Sequence, residues 1–129
     1  MQTAYLAASL VLLLTAVAHS VIGEILIFRQ LSKGRIVPSL SAPPLKERNI
    51  RILWASWHLT SVFGLVFALA LYQAGMNTPL SAPQLLLAIA AACTAGAALV
   101  LVGTKGRHPG WISLSLAALL TLFALGDLV

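Results

Sequence analysis

The sequence predicts an all-α integral membrane protein: a four-transmembrane-helix, up-down bundle with both termini on the non-cytoplasmic side. Three observations carry that reading. The 129 residues are 60% hydrophobic and only 9% charged, whereas a soluble domain carries about a quarter charged residues. Four apolar runs each approach the roughly 20 residues that cross a bilayer as a helix. The basic residues fall in two short stretches only: Arg29, Lys33, Arg35, Lys46, Arg48 and Arg51, then Lys105 and Arg107.

The first run, about 3–28, contains Ala16-Val17-Ala18, which resembles a secretory cleavage site. No basic segment precedes it and the apolar pattern continues through Phe28, so it reads as a membrane helix. A cytoplasmic basic loop, about 29–42, follows. The second helix is expected over about 43–73, the third over 82–103 and the fourth over 110–128, all in one domain spanning residues 1–129. Continuous apolar runs exclude a β-barrel, whose strands are short and alternate apolar with polar residues.

Charge sets the expected orientation. The stretches Arg29 to Arg51 and Thr104 to Pro109 hold all eight Lys and Arg residues, while Gln73 to Ala82 holds no charge. Basic loops stay cytoplasmic, which places the chain in the cell (inner) membrane with its ends across from them. The net charge of +5 therefore points to the lipid bilayer and its anionic head groups, and not to nucleic acid. Trp54, Trp57 and Trp111 fall near the basic side, where an aromatic belt is expected.

Two nearly identical phrases mark helix starts: Leu40-Ser41-Ala42-Pro43-Pro44-Leu45 and Leu80-Ser81-Ala82-Pro83-Gln84-Leu85. Each sets a capping serine before proline in a first helical turn. The first would start the second helix near Pro43, with Glu47 and Arg51 spaced as an i,i+4 pair. Small residues recur every fourth position at Ala88, Ala92 and Gly96, and at Ser56, Thr60, Gly64 and Ala68. Such stripes let membrane helices approach closely, within one chain or in a homo-oligomer. Cys93 has no partner cysteine and reads as a packing residue.

The groups that can carry chemistry are His19, Glu24, His58 and His108. At about 1.5 Å per residue, His19 lies roughly 15 Å and His58 roughly 10 Å inside the basic boundary. Antiparallel first and second helices would bring them to similar depth. Glu24 lies between His19 and the boundary, and an acid there is costly unless paired. His19 and Glu24 are about 140° apart around a helix, so they are not a chelating pair on their own. The cluster predicts a metal or haem site in the cytoplasmic half, with His19 and His58 as ligands. Glu24 would be a ligand or base and His108 a peripheral ligand, with Ser20, Arg29, Arg51 and Trp54 around them. Plainer roles compete: Glu24 paired with Arg29, Arg51 or Arg107, His58 bonded to a serine, His108 capping a helix, Asp127 solvated. No H-x-x-x-H, E-x-x-H or C-x-x-C pattern is present, and no Ser-His-Asp pattern.

Two other functions fit the same residues. One is a small proton-coupled transporter using Glu24 and His19. In length and four-helix plan the chain resembles the small multidrug resistance family, which has a membrane glutamate in its first helix. Here the acid sits near the cytoplasmic end and the charge bias fixes one orientation, so no residue is carried over. The other is an accessory or assembly subunit of a membrane complex, with no site of its own.

Overall fold

The computed structural model describes residues 1–126, and these are all-α with no strand. Four helices follow in order: α1 (Gln2–Gly23), α2 (Glu47–Gly75), α3 (Ala82–Thr104) and α4 (Gly110–Gly126). α1 continues through a π-helical turn, Glu24–Phe28, and a 3-10 turn, Arg29–Leu31. Three rods, Gln2–Leu31, Glu47–Gly75 and Ala82–Thr104, are long and apolar enough to cross a membrane. α4 has 17 described residues, about 25 Å of helix. Asp127 and the expected end of the fourth helix lie outside the described residues.

The helices pack in chain order: α1 on α2, α2 on α3, α3 on α4. α1 and α4 form no comparable pair, so the expected up-down bundle is, among the described residues, an open antiparallel row. Lipid tails are as apolar as leucine, so no hydrophobic force drives the outer helices together. Their large side chains point away from the row: Leu14 is 60% exposed and Phe123 is 74% exposed. The buried set is rich in small residues, including Ala16, Ala55, Ala68, Ala92, Cys93 and Ala97, and the large side chains it holds include Phe28, Ile50 and Trp54.

Close approach follows from the small residues. Gly64 on α2 faces Ala16 on α1, and Ser9 Oγ donates to the Ala68 carbonyl at 2.7 Å. A methyl at Gly103 would sit 3.0 Å from the Ala55 methyl and press on the Trp54 ring, so α2 and α3 meet nearly backbone to backbone there. The α2 stripe divides: Gly64 and Ala68 face α1, whereas Ser56 and Thr60 are exposed, the Thr60 hydroxyl bonding the Ser56 carbonyl.

The two similar phrases end differently. At α3, Ser81 Oγ accepts from the Gln84 N–H and Gln84 Oε1 accepts from the Ser81 N–H, a complete capping box. At the first phrase no helix starts. Ala42 and Leu45 exchange backbone bonds of 3.1 and 2.7 Å around Pro43-Pro44, and α2 begins at Glu47 instead of near Pro43. Proline stands where Gln84 stands in the second phrase, so it supplies neither an N–H nor a side chain to reach back.

The basic connection lies back on the helix ends. Ser39 and Leu40 N–H donate to the Leu31 carbonyl, and Pro38 is fully buried. The buried Arg51 guanidinium donates to the carbonyls of Pro38 and Val102, both at 3.2 Å, tying connection, α2 and α3 together. Glu47 lies 3.7 Å from Arg51, the expected i,i+4 partner, and 3.4 Å from Lys105.

Candidate functional site

The polar groups collect where α1 gives way to its π-helical turn. The Glu24 N–H bonds both the Ser20 and Val21 carbonyls, and the Glu24 carbonyl then accepts from Arg29, five residues on. This widened turn alters the azimuth of the residues that follow. Glu24 Oε2 accepts from Trp54 Nε1 at 3.0 Å and lies 3.4 Å from His58 Nε2. Ser20 Oγ lies 3.0 Å from His58 Nδ1. With Glu24 ionised, a neutral His58 carries its proton on Nε2, and the Ser20 hydroxyl donates to Nδ1. Four side chains thus form one chain across the α1–α2 interface: Ser20, His58, Glu24, Trp54.

Aromatic rings brace this chain. Trp54 meets the His58 ring edge-on at 4.9 Å, and the buried Phe28 packs against Trp57 at 5.9 Å and His58 at 6.1 Å. Gly23 makes room: a methyl there would overlap the Trp57 indole, whose N–H donates to the His19 carbonyl at 2.8 Å.

His19 takes another place. Its ring stacks on Trp57, centroids 4.2 Å apart and planes 7° from parallel. The expected His19–His58 ligand pair is therefore not assembled: one ring lies on an indole and the other faces a carboxylate. The five-residue spacing of His19 and Glu24 explains this, since turning Glu24 into the interface turns His19 aside. His108 stands at the start of α4, where Nδ1 accepts from the Gly110 N–H at 3.1 Å. It caps that helix and does not join the cluster. Arg29 is exposed, and Arg51 is committed to Pro38 and Val102, so neither surrounds the site. Glu24 pairs with none of Arg29, Arg51 or Arg107 among the described residues. Trp54 is 6% exposed and bound to Glu24, so it belongs to the interior and not to an aromatic belt.

The chain borders a groove of about 700 Å³ between α1 and α2. Ser20, Glu24, Trp54, His58 and Ser61 supply its polar points, and Ala16, Val17, Val21, Val62 and Leu65 its apolar walls. Ser61 Oγ is buried there without a partner among the described residues. The arrangement holds a serine, an imidazole and a carboxylate in series, which the primary sequence does not display as a Ser-His-acid pattern. Ser20 is an interior residue of α1, so its neighbouring N–H groups are committed to helix bonds and leave no oxyanion donor beside it. Proton exchange between Glu24 and His58 requires no such donor. Among the described residues no three His, Cys, Asp or Glu side chains come together as a metal-binding group.

Sequence reasoning missed Trp54 as a donor to Glu24 and Trp57 as the support of His19. Gly23 was the available signal: it lies opposite Trp57 when α1 and α2 run antiparallel. The π-helical turn has no signature in Glu24-Ile25-Leu26-Ile27-Phe28. No family model matches the chain, and no curated protein or solved structure matches it.

Proposed function

We propose that this chain is a four-pass protein of the cell (inner) membrane, its termini across from the basic connections. We propose further that it is a small proton-linked carrier worked by Glu24 and His58. The observation that carries the reading is a carboxylate left unneutralised by arginine, 3.4 Å from an imidazole, at the wall of an apolar groove. An ionisable pair at membrane depth is expensive and marks ion or substrate pathways. A ligand with an apolar body and a cationic head suits the groove, its head on Glu24. Protons and ligand then compete for one carboxylate. The titratable groups near the pair are few: His19 lies beyond Trp57, and Arg51 points to Pro38 and Val102. Ser20 lets His58 gain a proton without an unpaired nitrogen, since its hydroxyl can turn from donor to acceptor. Copies would associate through the exposed Ser56 and Thr60 face.

The test is reconstitution into vesicles with a pH dye inside and a fluorescent lipophilic amine outside. Amine entry should drive proton efflux, and Glu24→Gln should reduce both to the level of empty vesicles. Equal flux in the variant would overturn the reading.

A metal ion is the second reading, favoured by the convergence of Glu24 Oε2 and His58 Nε2 with Ser20 orienting the ring. It keeps two of the four ligands expected from sequence. Elemental analysis and an absorption spectrum of protein purified without a metal-affinity tag decide it. About one ion per chain, lost in His58→Ala, supports a metal, and a Soret band supports haem. An accessory role predicts neither flux nor metal.

A further inference from the structure

A second polar cleft lies at the basic end, away from the Glu24–His58 groove. It has a volume of about 290 Å³ and is walled by the first turns of α2 and by the α3–α4 connection. We infer that it is a discrete binding site for a phosphate group, held between Arg48 and Arg107. This reading is independent of the carrier proposal.

Charge accounting comes first. Among the described residues Glu47 is the one acid near this end, and it is engaged by Arg51 at 3.7 Å and Lys105 at 3.4 Å. Arg48 and Arg107 make no side-chain ion pair or hydrogen bond among the described residues, and both line the cleft. No carboxylate lines this cleft; Glu47 borders the smaller adjoining cavity of about 40 Å³, which both arginines also line. Two arginines lining one cavity attract an anion, and their planar guanidinium forks suit phosphate oxygens.

The remaining lining adds donors. His108 Nδ1 accepts from the Gly110 N–H at 3.1 Å, so a neutral ring carries its proton on Nε2, the nitrogen left free to donate. Asn49 offers its amide beside Arg48. The wall holding Arg107 and His108 is fixed by its own bonds. Lys105 and Gly106 have positive φ, the Gly106 N–H reaches the Leu101 carbonyl at 2.8 Å, and the His108 N–H donates to Thr104 Oγ1 at 3.3 Å. This turn sends Lys105 to Glu47 and Arg107 into the cleft. Ile52, one helical turn along α2 from Arg48, and Pro109 supply apolar walls that a glycerol or acyl segment would meet. A phosphate ester fits that lining, whether it comes from a lipid headgroup or from a soluble phosphate.

Native mass spectrometry of the full chain in detergent distinguishes the sources. The probes are phosphatidic acid, phosphatidylcholine and inorganic phosphate. Retention of one phosphatidic acid per chain above phosphatidylcholine indicates a lipid. Retention of inorganic phosphate without lipid preference indicates a soluble ligand. Arg48→Gln with Arg107→Gln should weaken the bound probe at least about tenfold. Arg29→Gln with Arg35→Gln removes the same charge from exposed positions and should leave binding unchanged. Unliganded melting temperatures of both double variants should match the parent, since none of these side chains is buried. Equal loss in the two double variants would reduce the site to diffuse surface charge, and no retention of either phosphate probe would overturn it.

Discussion

Glu24 and His58 face each other across the α1–α2 interface, Oε2 to Nε2 at 3.4 Å, and Trp54 rather than any arginine anchors the carboxylate. The carboxylate oxygen accepts an indole N–H at 3.0 Å, a neutral donor. Glu24→Gln keeps an acceptor for Trp54 and should cost less than about 1 kcal/mol, while abolishing proton-linked flux. Glu24→Ala strands a buried indole N–H and should cost about 1–2 kcal/mol. Paired unfolding and flux measurements separate the two; flux surviving in Glu24→Gln would remove the carboxylate from the mechanism.

The approach of Trp57 to α1 depends on Gly23. Gly23→Ala places a methyl against the indole, so either the helices part or the Trp57–His19 bond breaks. The expected destabilisation is about 1–3 kcal/mol. Tryptophan emission should shift to longer wavelength as Trp57 loses its place. A variant as stable as the parent, with unchanged emission, would show that this contact is relaxed at no cost.

Arg51 should matter for the basic connection more than for the site. It donates to the Pro38 and Val102 carbonyls, while its Nε is buried without a partner among the described residues. Arg51→Met loses two charge-assisted bonds and removes one unsatisfied donor, a net cost of about 2 kcal/mol. Residues 32–46 should then be cleaved faster by protease while α1–α2 packing persists. Cleavage at the parental rate would mean that the Leu31 carbonyl bonds hold the segment unaided.

The row of helices was largely legible in the sequence because apolar length and basic punctuation are local quantities. The Ser81–Gln84 box was legible for the same reason: all of its atoms belong to one turn. Ser41 was misleading, because the difference between a cap and a tight turn rests on one residue, Pro44 in place of Gln84. The site was legible in part. Depth brought His19 and His58 to similar levels with Glu24 between His19 and the boundary, but depth says nothing of azimuth. The π-helical turn at Glu24 and the stacking of His19 on Trp57 decide which groups meet, and both arise from packing between helices.

The two phrases yield a paired prediction. Ser81→Ala removes the acceptor for the Gln84 N–H and should cost about 1 kcal/mol. Ser41→Ala should cost nearly nothing, since no helix begins behind it. Thermal unfolding of the two variants side by side tests the difference, and equal losses would imply that Ser41 also caps a helix.

Orientation is open to a direct test. All eight Lys and Arg residues lie at one end, on the connections or on the helix turns that adjoin them, and translocating them is disfavoured. α1 and α2 run antiparallel, with Leu6 beside Gly75, so Gln2 and Thr78 belong to the opposite end. Cys93 is buried in α3 and gives little background to an impermeant maleimide. Ser41→Cys should therefore react only in inside-out vesicles, and Gln2→Cys and Thr78→Cys only in right-side-out vesicles. If Ser41→Cys and Thr78→Cys react from the same face, α2 does not cross the membrane and the proton-linked carrier loses its geometry. If the sides are exchanged, α2 still crosses but the basic connections do not set the orientation, and the phosphate cleft would face the outer leaflet.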